Sequence, residues 1–207
     1  METKRDEMSN VFLTFKMRKA VTEAAVLHHG QKRKINGSPF ISHPYAVALI
    51  LSNYTSNEDI IIAGLLHDTL EEVPGYTIKD LERDFGDKIA QIVKQVTEEE
   101  EPGDETLRRR TWQKRKEGYL DNIRNANCEA LMVCCADKIH NLTSLIDDYK
   151  EVGEDLWKEF MAPPERELWF YESVLAILKE RLDSEIVKEL EKAYLEAKNL
   201  SLFELKK

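Results

Sequence analysis

Apolar residues recur at intervals of three and four positions along most of this chain, which is the spacing of one face of an α-helix. The first such stretch ends at Gly30, a helix stop signal. Its apolar positions are Phe12, Phe15, Val21, Ala24, Ala25 and Leu27. No segment alternates apolar and polar residues between turn signals, as half-buried β-strands do. The pattern therefore predicts an all-α fold.

Start and stop signals predict the helices of the next part of the chain. Ser42-His43-Pro44 indicates a helix start, with proline tolerated in the first turn. Asn57 is expected to cap a helix that continues through His67-Asp68, and Pro74-Gly75 is expected to close it.

The second half of the chain is predicted to be helical as well. Thr77 and Asp80 indicate a capping box for a short helix that ends at Gly86. The acidic segment 98–104 contains Pro102-Gly103 and is predicted to be a loop. The other predicted helices span 88–97, 105–125, 127–147, 152–159, 163–182 and 184–199.

Length and composition fit a globular enzyme domain. The 207 residues are enough for one domain, or one domain with an elaboration, and for a sizeable core. No apolar run approaches a membrane span, and the charged start, residues 1–7, does not resemble a secretory signal. The expected location is therefore the cytoplasm. Cys134 and Cys135 lie in an apolar run, and with Cys128 they are predicted to be reduced thiols.

The net charge of −9 argues against a nucleic-acid polymer as the main partner. An anionic small molecule would need local positive charge. Two basic stretches offer it, 32–34 and 108–116, and either could instead be a solvated surface. Position favours the first stretch, since about ten residues separate it from His43.

Four potential metal ligands lie beside or inside apolar runs: His43, His67, Asp68 and Asp137. Their side chains are expected to point inward, where an uncompensated carboxylate is costly and a bound cation would remove that cost. Imidazole and carboxylate donors suit Mn, Fe, Ni, Co or Zn. The alternative is a separate local role for each residue. A histidine before proline, such as His43, is often a helix cap or a satisfied core residue.

The segment after His67-Asp68 continues with Glu71 and Glu72. On a continuous helix, Glu71 would lie one turn from His67 and Glu72 one turn from Asp68. An ordinary amphipathic helix does not gather four ionisable side chains at the end of an apolar segment. This arrangement favours a functional site.

Five ordered blocks carry a resemblance to a known family: 28–34, 37–44, 65–72, 85–86 and 136–142. The chain resembles the HD superfamily of metal-dependent phosphohydrolases. It is most similar to the alarmone hydrolases related to the hydrolase half of the RelA/SpoT enzymes and to their small stand-alone form. The resemblance covers about residues 10 to 150.

The resemblance implies an HD-domain helical bundle with extra C-terminal helices. It implies hydrolysis of the 3′-pyrophosphate of guanosine tetra- or pentaphosphate, giving GDP or GTP and pyrophosphate. The implied cofactor is one divalent ion, with Mn²⁺ expected ahead of Fe, Ni, Co or Zn. HD enzymes with two metals generally add histidine ligands before the final Asp, and residues 69 to 136 contain none.

The resemblance also implies residue roles. Glu71 and Glu72 would activate water, although Glu72 replaces the usual Asp of the family. Asn141 would orient the substrate or the attacking water. The residues implied or suggested for substrate contact are Arg33, Lys34 and Lys138 for phosphates, and Tyr171 for the base, with core packing as the alternative for Tyr171.

Several alternatives stay open at this point. The same metal site would serve a hydrolase of another phosphorylated nucleotide, including adenine alarmones or NADPH, or an inactive module that binds an alarmone. Residues 1–150 are expected to form the phosphohydrolase core, and 151–207 a helical extension packed on the same domain. That extension is too short for the nucleotide-transferring domain of long alarmone enzymes. The oligomeric state is left open. His28 and His29 are expected at the surface or in support of the site, and His140 in packing or hydrogen bonding.

Overall fold

The computed structural model describes residues 13–99 and 105–200. Expectations for the charged start, for Phe12, for the Pro102-Gly103 loop and for residues 201–207 lie outside this part of the chain. Within it, every regular segment is helical apart from an isolated antiparallel bridge between Lys32 and Pro39. The all-α prediction is therefore confirmed. The helices are α1 (Phe15–Leu27), α2 (Ser42–Ser52), α3 (Glu58–Leu66), α4 (Thr69–Glu72), α5 (Ile78–Phe85), α6 (Asp87–Val96), α7 (Glu105–Asn125), α8 (Cys128–Val152), a 3₁₀-helix (Gly153–Glu159), α9 (Pro164–Arg181) and α10 (Glu185–Asn199).

The predicted capping signals are present. The Asn57 side chain accepts a hydrogen bond from the Asp59 N–H at the start of α3. Thr77 and Asp80 form the capping box of α5, which ends at Gly86. The segment predicted as a helix over 152–159 is a 3₁₀-helix, because α8 continues past residue 147 to Val152 before the chain turns at Gly153.

Helix α8 lies at the centre of the fold and packs against α2, α3, α6, α7, α9, α10 and the 3₁₀-helix. The Asn127 side chain caps it by accepting from the Ala130 N–H. Its buried apolar residues include Leu131, Cys134, Cys135, Leu142, Leu145 and Ile146. All three cysteines are free; Cys134 and Cys135 are buried as expected, and Cys128 is exposed. The carboxylate of Asp137 therefore sits on a helix surrounded by the core.

Helix α3 is buried on all sides, since residues 60–66 are all buried. It approaches α2 closely at Gly64. A Cβ at that position would collide with Leu51 Cδ1 on α2. The missing side chain of Gly64 thus lets α2 and α3, which residues 53–57 connect, pack tightly against each other.

The continuous helix predicted through His67-Asp68 is wrong. Helix α3 ends at Leu66, and α4 begins at Thr69. Two side chains form hydrogen bonds with backbone carbonyl groups at the break. Thr69 Oγ1 donates to Leu66 O at 2.7 Å, and His67 Nδ1 donates to Gly64 O at 2.9 Å. Such local side-chain bonds compete with the helix ladder. The break turns His67 and Asp68 together toward α2 and α8.

The basic stretch 32–34 lies in a hairpin-like loop between α1 and α2. The Arg33 N–H donates to Ser38 O at 2.9 Å, and the Gly37 N–H donates to Arg33 O at 3.1 Å. Gly37 has a φ of 66°, a left-handed conformation that favours glycine. The Asn36 side chain donates to Asp148 on α8 at 3.1 Å, which fixes the loop against the central helix.

The C-terminal helices share the core with the preceding ones. Helix α10 packs against α8, and α9 packs against α7, α8 and α10. Among the described residues, no helix combines the length and apolarity needed to cross a membrane.

Candidate metal centre

Four side chains from three separate parts of the chain converge in the interior of the protein. His43 lies in the first turn of α2, His67 and Asp68 lie in the break after α3, and Asp137 lies on α8. His43, His67 and Asp137 are buried, and Asp68 is half-buried. The structure therefore brings together the four residues that the sequence singled out as ligands.

The spacing of these donor atoms suits one small divalent ion. The Nε2 atoms of His43 and His67 lie 3.1 Å apart. Asp68 carboxylate oxygens lie 3.3 Å and 3.1 Å from these nitrogens, and Asp137 Oδ1 lies 3.3 Å and 3.7 Å from them. Donors about 2.1 Å from one ion and at roughly 90° to 110° are separated by about 3.0 to 3.4 Å. His43, His67 and Asp68 form a group whose ligand atoms all lie within 4.8 Å of one another.

The charges in the site favour a cation between the two imidazoles. Burial opposes a charged His67, but Asp68 and Asp137 outweigh it and raise the pKa of His67 to about 9. Burial also opposes ionised Asp68, yet His67 and His43 lower its pKa to about 2. Against the same effect of burial, Lys138 and the imidazoles hold the pKa of Asp137 well below its ordinary value. The residues present thus fit a divalent ion in both geometry and charge.

Neighbouring groups orient the two histidines. His67 Nδ1 donates to Gly64 O, which leaves Nε2 available to a metal. The Nδ1 atoms of His43 and His140 lie 2.8 Å apart, and burial, with His43 and Arg33, lowers the pKa of His140 to about 4. The hydrogen-bonding role expected for His140 is therefore confirmed.

Two further side chains hold Asp137. Lys138 Nζ lies 2.6 Å from Asp137 Oδ2, and Asn141 Nδ2 donates to Asp137 Oδ1 at 2.5 Å. The Lys138 ammonium also lies 5.0 Å from the centre of the Tyr119 ring. Lys138, predicted to contact phosphate, and Asn141, predicted to orient the substrate or the water, therefore both touch a candidate ligand.

His28 follows the end of α1 and is buried, whereas His29 is exposed. The buried His28 ring lies 4.9 Å from the Phe40 ring, and its Nδ1 lies 2.7 Å from Gln31 Oε1. Gln31 Nε2 donates in turn to the backbone O of Glu72 at 2.6 Å. These contacts connect the end of α1 to α4.

The paired acids lie on α4, next to the ligands. Glu71 Oε1 accepts a hydrogen bond from the Glu98 N–H at 2.6 Å. Burial, together with the nearby Asp68 carboxylate, raises the pKa of Glu71 to about 8. A carboxyl whose pKa lies near neutrality is suited to proton transfer. Glu72 faces the cavities described next.

The candidate site opens into a two-part cleft. The inner cavity has a volume of about 200 Å³. It is lined by the four candidate ligands and by Arg33, Glu71, Glu72, Lys138 and Asn141. The outer cavity, 530 Å³, is lined by Arg33, Lys34, Glu72, Asn141 and Tyr171 among others. The two share Arg33, Phe40, Glu72, Lys116 and Asn141, so they adjoin each other. All the candidate site residues predicted from the sequence thus line this cleft.

Two site residues were not singled out from the sequence. Lys116 belongs to the basic stretch 108–116 that was considered second to 32–34, yet it lines both cavities. Glu98 lies in a segment predicted only as an acidic loop, yet it is buried beside Glu71. The sequence signal for each was a charge run, which is usually a solvated surface.

Comparisons with known proteins show the family to which the chain belongs. A family model described as "HD domain" matches residues 20–162. The chain belongs to the HD domain family. Over 136 residues it is 31% identical to the bifunctional (p)ppGpp synthase/hydrolase SpoT of Escherichia coli, covering 63% of this chain and 18% of that protein. It is 36% identical over 119 residues to a GTP pyrophosphokinase of Streptomyces coelicolor, covering 57% of this chain and 13% of that protein. The chain thus spans less than a fifth of the length of these relatives.

Two solved structures share the fold over most of their length. One is described as a metazoan ortholog of SpoT that hydrolyses ppGpp; it has a TM-score of 0.70 at 23% identity and covers 89% of this chain and 97% of its own. The other is lmo0812 from Listeria monocytogenes, with a TM-score of 0.62 at 29% identity over 78% of this chain and 96% of its own. The predicted HD helical fold is confirmed.

Proposed function

We propose that this HD-family protein is a metal-dependent hydrolase of the 3′-pyrophosphate of guanosine 3′,5′-bis(diphosphate). The products would be GDP, or GTP from the pentaphosphate, and pyrophosphate. One observation carries the proposal: a buried four-donor site opens beside Glu71 into a cleft lined by Arg33, Lys34 and Lys116. Names of relatives that include a guanosine-3′,5′-bis(diphosphate) 3′-pyrophosphohydrolase of Haemophilus influenzae support the choice of substrate.

The proposed ligands are His43, His67, Asp68 and Asp137, and the proposed ion is a single Mn²⁺, with Fe, Ni, Co or Zn as alternatives. When bound, such an ion lowers the pKa of water and neutralises phosphate charge. Imidazole and carboxylate donors with a cleft beside them fit an ion that keeps room for water and substrate.

Glu71 is proposed to take the proton of the attacking water. Its Oε1 is held by the Glu98 N–H, which leaves the second carboxylate oxygen for that proton. Glu72 is proposed to assist from the adjoining position, where it lines both cavities. Asn141, which holds Asp137, is proposed to orient the substrate or the water from the wall that the two cavities share.

Positive charge along the cleft would bind the phosphates. Arg33 lines both cavities, Lys34 is exposed at the outer one, and Lys138 lines the inner one. Tyr171, half-buried in the wall of the outer cavity, is proposed to contact the base. The outer cavity of 530 Å³ is within the size range of small-molecule sites.

Residues 1–150 are proposed as the phosphohydrolase core and 151–207 as a helical extension on the same domain. Packing of α9 and α10 against α8 supports their placement on the same domain. The cytoplasmic location stays a prediction.

A nucleotide screen tests the proposed function. Purified protein is incubated with Mn²⁺ and guanosine tetraphosphate, pentaphosphate, adenine alarmones, NADPH and deoxynucleotides, and pyrophosphate and orthophosphate release are measured separately. Pyrophosphate release that is fastest from the guanosine compounds supports the proposal. Faster orthophosphate release from NADPH or a deoxynucleotide would replace it with another HD nucleotidase activity. Binding of guanosine tetraphosphate without turnover of any compound would indicate an alarmone-binding module.

A further inference from the structure

Glu98 forms a buried ion-pair cluster just beyond the end of α6. Its carboxylate accepts from Arg115 Nη1, and Lys116 Nζ lies 2.6 Å from its Oε2. The side chains of Glu98 and Arg115 are each 8% exposed, and both cations lie on α7. We refer to Glu98, Arg115 and Lys116 as the Glu98 cluster. Buried ion pairs of this kind are weak evidence for stability, because desolvation offsets much of their attraction.

The backbone of Glu98 connects this cluster to the proposed proton acceptor. The Glu98 N–H donates to Glu71 Oε1 at 2.6 Å. The Glu98 side chain is therefore held from α7, while its amide holds the Glu71 carboxylate. Both contacts belong to one residue, so the position of the amide depends on the position of the side chain.

Glu71 needs such support because its own helix is short. Helix α4 comprises the four residues Thr69–Glu72 and follows the break at His67-Asp68. Glu98 lies outside a helix as well, in the segment after Val96. Neither segment has the rigidity of a long helix, whereas α7 runs from Glu105 to Asn125.

We propose that Glu98 is a positioning residue, anchored by Arg115 and Lys116, whose amide directs the Glu71 carboxylate toward the metal site. This inference rests on the proposed proton-acceptor role of Glu71. Arg115 lines neither part of the cleft, so its proposed effect on the reaction does not pass through contact with the substrate. A small displacement of a catalytic group costs up to about 10²-fold in rate.

The test is a double-mutant cycle between Glu98→Ala and Glu71→Gln, assayed on the nucleotide that the parent turns over fastest. In the parent background, Glu98→Ala should lower kcat about tenfold or more while KM stays within about twofold. In the Glu71→Gln background, Glu98→Ala should have no further effect on kcat. Residues that act as a unit are non-additive in this way.

Companion variants separate positioning from folding. Arg115→Ala should reproduce the loss of kcat, and Glu98→Gln, which can still accept hydrogen bonds from α7, should recover part of it. Arg124→Ala, an exposed change on the same helix outside the basic stretch 108–116, should leave kcat unchanged. Rates are expressed per mole of folded, metal-loaded protein, so that a loss of stability does not count as a loss of turnover.

Three results would overturn the proposal. Equal losses of kcat in the two backgrounds would show that Glu98 acts independently of Glu71. A rise in KM alone would assign the cluster to substrate binding. A lower melting temperature with unchanged kcat would leave only a structural role.

A readout that needs no substrate keeps this inference separate from the proposed function. The Glu98 amide proton should exchange slowly with solvent in the parent, and at least about tenfold faster in Glu71→Ala and in Arg115→Ala. An amide that exchanges freely in the parent would contradict the inference even if guanosine tetraphosphate is hydrolysed. A protected amide together with another preferred nucleotide would contradict only the proposed substrate.

Discussion

The Nε2 atoms of His43 and His67 lie 3.1 Å apart in the interior of the protein, and the carboxylates of Asp68 and Asp137 lie within hydrogen-bonding or near-contact distance of both. Two imidazole nitrogens facing each other across so short a gap need a proton or a cation between them.

Asp68→Ala should lose the bound metal and the activity while keeping most of the helical signal. The variant removes one donor from the break between α3 and α4 and leaves the helices themselves unchanged. Elemental analysis and circular dichroism check the two parts of this expectation. Asp147→Ala, an exposed change on α8, is the matched control. A full equivalent of metal in the Asp68 variant would show that the ligand assignment is wrong.

Glu71→Gln should lower turnover by about 10² or more while metal stays bound, because the amide cannot accept the proton. Single-turnover assays and metal analysis on the same sample measure both quantities. Glu72→Asp, which restores the pair usual in the family, should keep measurable turnover. Near-normal rates in Glu71→Gln would move the proton-acceptor role to another group.

Replacing Arg33 and Lys34 together by Ala should raise KM for guanosine tetraphosphate far more than it lowers kcat. Contacts to the phosphates act alike on the bound substrate and the transition state. Added salt should weaken binding to the parent more than binding to the double variant. Lys188→Ala with Lys192→Ala, two exposed lysines on α10, serves as the charge-matched control. An unchanged KM would remove these residues from the substrate site.

The metal-free protein should become less stable as pH rises from 6.5 to 8. The pKa of His67 is raised from 6.5 to about 9 by Asp68 and Asp137 despite burial, and burial and Asp68 raise that of Glu71 from 4.5 to about 8. A group whose pKa is higher in the folded than in the unfolded state stabilises the fold fully at pH values below its unfolded pKa. This stabilisation is lost as pH rises through the folded pKa. For both groups, the interval between the unfolded and the folded pKa includes pH 6.5 to 8. Calorimetry in chelator should show a falling Tm, and Glu71→Gln should reduce its slope; a Tm that rises with pH would contradict this expectation.

Gly64→Ala should destabilise the fold by about 1 to 3 kcal/mol, because the new methyl group collides with Leu51 in a packed core. Gly118 lies within α7 with open space around it. Gly118→Ala should therefore be neutral or stabilising, by up to about 1 kcal/mol. Urea unfolding of the two variants measures the difference. Equal effects at the two glycines would indicate that α2 and α3 are not in close contact.

Much of the candidate site could be predicted from the sequence because its residues break an apolar pattern. His67, Asp68 and Asp137 follow directly on buried runs, where a polar group has no packing role. The same reasoning missed the helix break at His67. A bond from Thr69 Oγ1 to Leu66 O lies at that break, and the apolar spacing of α3 gives no sign of it.

The sequence could not indicate Glu98 and Lys116 as site residues. Each lies in a run of like charges, and only the packing of α7 beside the end of α6 brings them into contact. The role of a charged residue in such a run depends on its tertiary neighbours. Local sequence patterns predict which apolar faces are buried far better than they predict which distant charged residues come into contact.

The two parts of the cleft are encoded in different parts of the chain. All residues that line the inner cavity precede residue 150, whereas Phe160, Met161 and Tyr171 line the outer cavity from beyond it. Exchange of the C-terminal helices between relatives would therefore alter the proposed nucleotide cleft without changing any proposed metal ligand. Substrate choice in such proteins can diverge while the chemistry is inherited intact.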